Sequence, residues 1–217
     1  GTLGGVDKIM VTAAPTVTNG MVDASITNAT DGHFVTYGGS GFANATYENT
    51  FTTAGTLTPN MAPTAKVSVQ MAATTGAQTL GSNLDIYALR TDRDITNGGP
   101  FNQIQVRSGG LISATNALTI QPNLIFNDGT SNVEAKITAL SNMNLNGVIT
   151  AAGVTKSGNG VLAVNVPQTA YASGWTVNSG DLTFNDLEAA GQCDYRECHS
   201  DHWWYQRLDA DRFPRQF

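Results

Sequence analysis

Gly153-Val-Thr-Lys-Ser-Gly-Asn-Gly-Val-Leu-Ala-Val-Asn-Val166, followed after a short break by Ala172-Ser-Gly-Trp-Thr-Val-Asn-Ser-Gly-Asp-Leu-Thr-Phe-Asn185, decides the fold. Each half carries a glycine turn and then a short alternating strand, Gly160-Val-Leu-Ala-Val164 and Gly180-Asp-Leu-Thr-Phe184. Alternation at period two is the pattern of a strand with one buried face. The phrase returns about one solenoid coil later, such repeats being roughly 20–45 residues long. One coil is therefore expected to stack on the next. Either Leu162 and Val164 or Val161 and Ala163 turn inward, depending on register. A charge in place of Leu162 or Leu182 should destabilise the stack, whereas Thr183 should tolerate it if that residue faces solvent.

Outward from this stretch, the composition agrees. Only 13% of the 217 residues are charged, against about 25% in an ordinary soluble domain. Thr, Asn, Gly and Val are poor helix formers, and they suit short strands joined by Gly, Asn and Asp turns. Lys66–Met71 and Leu84–Leu89 each read as one half-buried strand. Further strands are expected at Ile104–Val106, Asn116–Ile120, Asn123–Phe126, Val133–Ile137 and Asn146–Thr150, with Ser108–Ile112 closing the first of these. Shorter apolar pieces precede them at Lys8–Thr12, Ser25–Thr27 and His33–Tyr37. Turns fall every ten or so residues, a spacing that allows a sandwich, a barrel or a solenoid. Recurrence of Gly-x-Leu/Ile at Gly55, Gly110, Gly147, Gly160 and Gly180 favours the solenoid. Asparagines beside the turns, at Asn116, Asn123, Asn127, Asn146, Asn159 and Asn185, suit corners, because Asn tolerates the left-handed conformation and bonds its own backbone.

Thr155-Lys-Ser-Gly-Asn-Gly-Val-Leu-Ala-Val164 and Tyr171-Ala-Ser-Gly-Trp-Thr-Val-Asn-Ser-Gly-Asp-Leu182 together resemble the autotransporter-associated β-strand repeat. That family's phrase runs Lys-Thr/Ser-Gly-x-Gly-x-Leu-x-Leu, then Tyr-x-Gly-x-Thr-x-Val-x-x-Gly-x-Leu. The match covers about one repeat; Trp175, Asp181 and Pro167 depart from it. Proline cannot donate to a ladder, so Pro167 should lie at a corner. The resemblance implies an all-β, right-handed parallel β-helix. It also implies an extracellular or cell-surface location, associated with a Gram-negative outer membrane. A translocating membrane barrel would belong to the full-length protein. The chain opens in mid-pattern, without a leader-like segment, and is expected to be a fragment. Residues 1–190 form the expected solenoid region, with 191–217 an atypical tail.

That tail holds both cysteines, two of the three histidines and two of the three tryptophans. A metal site from Cys193, Cys198, His199 and His202 has poor zinc spacing, because Cys198 and His199 are adjacent and the histidines are too close. A cap or linker with aromatic anchors is a second reading. A frameshift explains more. With each codon started one base late, Asp, His and Tyr all become Thr, Ile or Met. Every Cys becomes Ala or Val, and Trp203 and Trp204 both become glycine. With permissible codons, residues 192–212 then read Ser-Ala-Thr-Thr-Gly-Asn-Val-Thr-Ala-Ile-Thr-Gly-Gly-Thr-Asn-Ala-Leu-Thr-Leu-Thr-Gly. The language is that of the body and echoes Thr115-Asn-Ala-Leu-Thr-Ile120.

The function expected is a structural or adhesin-like stalk, with glycans or surface proteins as partners and with no catalytic, cofactor or metal residues. A net charge of −6 disfavours a nucleic-acid partner, and no apolar run approaches the ~18 residues needed to span a bilayer. The alternative is a β-helical polysaccharide-binding or polysaccharide-degrading enzyme. Such enzymes cluster carboxylates with Arg or Lys, and the candidate cluster is Asp85, Arg90, Asp92, Arg93 and Asp94. These charges read more simply as a solvated loop. Gly38-Gly-Ser-Gly41 lacks the Lys and Ser/Thr of a phosphate loop. Asn127-Asp-Gly129 lacks the repeated series of a calcium-binding coil. His33, the only histidine before the tail, has no triad-like partner set. Asn28-Ala-Thr30 and Asn44-Ala-Thr46 match the N-glycosylation pattern, which arises often by chance in such a composition.

Overall fold

The computed structural model describes residues 3–4, 8–57, 61–69, 76–168, 170–171 and 174–185. Among them there is no α-helix, and three parallel sheets stack as a β-solenoid. The first face contains Asn49–Phe51, Lys66–Val69, Ala88–Thr91, Gly110–Ser113, Glu134–Ala139, Gly153–Ser157 and Trp175–Val177. Gly55–Leu57, Gln78–Leu80, Ile95–Thr96, Leu118–Ile120, Met143–Leu145, Val161–Val164 and Asp181–Phe184 form the second. The third face holds Leu84–Ile86, Gln103–Val106, Asn123–Ile125, Ile149–Ala151 and Ala170–Tyr171. From Lys66 onward the chain visits the three faces in turn, so each of these coils closes a triangle around one continuous apolar interior.

The opening stretch stacks in register. Val161 pairs with Asp181, Leu162 with Leu182 and Val164 with Phe184. Leu162 and Val164 are the inward pair, both fully buried, while Val161 is partly exposed. The column above Leu162 continues through Met143 and Leu118. Of the five glycine phrases, only Gly160 and Gly180 share a corner. Gly55 aligns with Gln78 at a different register on the same face, Gly110 lies on the first face, and Gly147 leads into the third. Pro167 lies outside the strands, between the second face and the third, as a residue without an N–H requires.

Asparagine acts differently from expectation. Asn19 is the only non-glycine residue with positive φ among those described. Asn127 does bond its local backbone, accepting from the Gly129 N–H. In the coils, several of the amides instead bridge one turn to the next. Asn83 accepts from the Asn102 and Gln103 N–H groups, and Asn123 from Val148 N–H. Asn185 donates to Asn165 at 2.6 Å, and Asn165 to Asn146 at 2.7 Å.

Three strand boundaries also differ. Leu84–Leu89 is two strands, Leu84–Ile86 on the third face and Ala88–Thr91 on the first, divided at Tyr87. Alternation runs through the bend, which hides it. Gly110–Ser113 is a fully buried strand, so only Ser108-Gly109 turns. Lys66–Val69 is buried on both sides.

That double burial comes from the described residues before Glu48, which make no coil. Thr27–Asn28, His33–Gly38 and Gly41–Asn44 form an antiparallel meander, with a hairpin at Gly38–Gly41. It packs on the outer surface of the first face through a second apolar cluster of Met21, Ala24, Phe34, Ala45, Ala88 and Ile112. Gly110 is bare because Phe34 sits on it: a Cβ there would meet the Phe34 ring at 2.8 Å. Lys8–Thr12 forms no strand; it runs beside the meander, where Ile9 accepts from the Phe42 N–H.

Candidate functional site

The polar chemistry among the described residues is concentrated where the meander meets the first face. Three cations on that face reach across the seam. Lys66 donates to Asn19 O at 2.5 Å and to Glu48 at 2.7 Å. Arg90 donates through Nε to Gly32 O at 2.6 Å. Lys136 bonds both oxygens of Asp23 at 2.8 Å. Burial alone would raise the Asp23 and Glu48 carboxyls. Hydrogen bonds from Lys136 and Ser25 outweigh it and hold Asp23 at about 2; those from Lys66 hold Glu48 below its ordinary value.

Of the five charges proposed for catalysis, Arg90 and Asp92 come together and leave solvent. They are 5% and 6% exposed and joined at 3.0 Å. This corrects the reading of a solvated loop: the meander covers the strand that carries Arg90. The second Asp92 oxygen accepts from the Thr115 N–H and hydroxyl at 3.0 and 2.9 Å, and Arg93 donates to the Asp92 carbonyl. Asp85 lies apart on the third face and is clamped by Arg107 through two bonds of 2.7 and 2.6 Å. Asp94 accepts from Thr119 N–H on the next coil. The cluster thus divides among three structural tasks.

Beside the seam lies a cleft of about 230 Å³ lined by residues including Thr16, Thr18, Met21, Asp23, Tyr87 and Ser108. Burial and the nearby Asp23 carboxylate both push the Tyr87 phenol up. Burial raises Tyr47 to about 12, and its hydroxyl accepts from the Phe34 N–H at 3.2 Å. No group of three metal-ligating side chains occurs among the described residues. Asp128 accepts from Thr130 and Ser131 within its own turn, which holds its carboxyl at about 2. Asn28 and Asn44, from the two glycosylation-like triplets, bond each other at 2.9 Å. Cys193, Cys198, His199 and His202 lie outside the described residues.

Sequence reasoning missed Lys66, Glu48, Asp23 and Lys136 as a set. One signal was present: Ala88, Gly110 and Ile112 occupy outward positions that an exposed sheet would fill with polar residues.

Replacing Arg90 with Met should uncouple the meander. Removing one partner of a buried ion pair leaves the other uncompensated and costs about 3–5 kcal/mol. Amide exchange at Phe34 and Ala45 should accelerate strongly while Leu118–Ile120 stays protected. Equal acceleration at both places would contradict this division.

Acid should loosen the same seam. Burial, then the positive field of Arg90, lowers the His33 pKa, while Asp31 and Asp92 oppose it. The neutral ring is therefore favoured in the folded state. Its contribution is complete above the unfolded value of about 6.5 and is lost as pH falls through the lower folded value. Asp23 contributes above about 4, and that part disappears towards pH 2. Phe34 exchange, corrected for intrinsic rate, should show decreasing protection from pH 7 to 3; constant protection would refute the linkage.

No α-helix among the described residues is long and apolar enough to cross a membrane. No family model, curated protein or solved structure matches this chain.

Proposed function

We propose that the chain is a non-catalytic, adhesin-like stalk segment of a secreted or surface-displayed bacterial protein of the autotransporter type. The observation that carries this reading is the uninterrupted stack. In the second face alone, parallel pairing runs from Gly55–Leu57 to Asp181–Phe184. Each strand adds about 4.7–4.9 Å along the stack, so repetition gives reach rather than a reaction centre. The commitment of Asp85, Arg90, Asp92 and Asp94 to structural bonds agrees with a non-catalytic role. Partners would be glycans or surface proteins, met on the polar outer faces.

A glycan array probed with the folded protein tests the adhesive part. Selective, saturable retention of a glycan class supports adhesion, and an empty array reduces the proposal to a spacer. Cleavage of a polysaccharide that disappears in Asp92→Ala, while the Leu118–Ile120 amides stay protected, would replace the stalk by an enzyme.

A further inference from the structure

We propose that the open edge of the last described coil is the seat of a further coil, encoded by the nucleotides of residues 191–217 read one base later. The structure supplies a template that the codons alone cannot. In every coil from Leu118 onward, the second face carries two inward apolar residues two positions apart. They are Leu118 and Ile120, Met143 and Leu145, Leu162 and Val164, then Leu182 and Phe184. Downstream, the shifted reading has its two leucines at positions 208 and 210. Position 208 follows Leu182 by the same step that separates Leu111 from its partner Ile137.

Several intervening residues fit the same template whatever their codons. Trp203 and Trp204 can yield only glycine, four and five positions before 208. Gly158 stands at the matching place, four positions before Leu162. Gly160 and Gly180 stand two positions before Leu162 and Leu182, where the shifted Gln206 codon yields no glycine but can yield asparagine, like Asn116 two positions before Leu118. Gly158 has a φ of 82°, and a Cβ there would run into the Ala139 backbone, so that corner position selects glycine. Before it, Cys198 yields Ala or Val, while His199, Asp201 and His202 yield Thr, Ile or Met. These are mostly β-formers where a first-face strand should follow Trp175–Val177. Between the two leucines Asp209 yields Thr or Met, and its outward counterparts include Thr119 and Thr183. The echo of Asn116–Ile120 is thus positional: both phrases belong to the second face.

Nucleotide sequencing across these codons, together with expression of the protein in both frames, tests the proposal. Leu208 should be encoded by CTT and Ala210 by GCT, the choices that yield leucine at both positions. The frame-restored protein should unfold at a higher temperature and protect the Asp181–Phe184 amides at least tenfold more than the protein with residues 191–217 in the present frame. A chain ending at Asn185 should match the present-frame protein in this protection. A shifted-frame stop at 208, a proline, glutamine or arginine at 210, or unchanged Asp181–Phe184 protection would each overturn the proposal.

Discussion

Leu162→Asp is expected to abolish the cooperative fold of the last coils. Leu162 is fully buried, paired on one side with Met143 and on the other with Leu182. Truncating a buried leucine costs about 2–5 kcal/mol through lost transfer energy and the cavity left behind. Aspartate adds an unpaired charge to an interior where burial costs several kcal/mol more. Ordinary domains are stable by only about 5–15 kcal/mol. The expected result is loss of the thermal transition for the Met143–Phe184 region, read by amide exchange. Thr183→Asp is the control: its side chain lies on the outward side of the same strand and should shift stability by less than about 0.5 kcal/mol. Equal effects at the two positions would refute the inward assignment.

Lys156→Met should be almost as damaging, and its cause lies in the repeat phrase itself. Lys156 occupies the inward column beside Ile137, and its residue is fully buried. Its ammonium donates to Gly158 O, Gly160 O and Ser179 O at 2.6, 2.5 and 2.7 Å. One cation therefore satisfies carbonyls from two successive turns. Burial depresses its pKa, with Asp181 opposing. Gly180 passes directly over it, since a Cβ there would meet Nζ at 2.3 Å. Methionine keeps the volume and removes the donors. Each buried acceptor left unsatisfied costs about 1–3 kcal/mol. The midpoint of chemical unfolding should fall sharply with little change in its slope, and Lys156→Arg should not restore it, because the larger head has no room beneath Gly180. An unchanged midpoint in the methionine variant would show that water replaces the ammonium.

The coil interior was legible because period two is local: Leu162, Val164 and Leu182 reveal their side from neighbours alone. Lys156 was visible as part of a phrase, but its inward direction was not, since Lys normally points to water. The seam was illegible for a different reason. Lys136 finds Asp23 across 113 positions, and no periodicity connects such residues. The same lack of long-range information made Arg90 and Asp92 look solvated. Corners such as Tyr87 escaped because a bend between two faces preserves alternation. Bonds such as those from Asn165 and Asn185 depend on which coil lies next door, which register alone supplies.

The meander also changes how the stack should yield to force. It holds Lys66, Arg90, Gly110 and Lys136, one residue from each of four consecutive first-face strands. A bare solenoid is governed by nearest-neighbour contacts and can unravel coil by coil. Here the middle coils are splinted to one another. Pulled from the C-terminal side, Trp175–Phe184 and then Gly153–Val164 should peel in separate small steps. Rupture of the splinted coils should follow as one large event, with the meander acting as a mechanical stop.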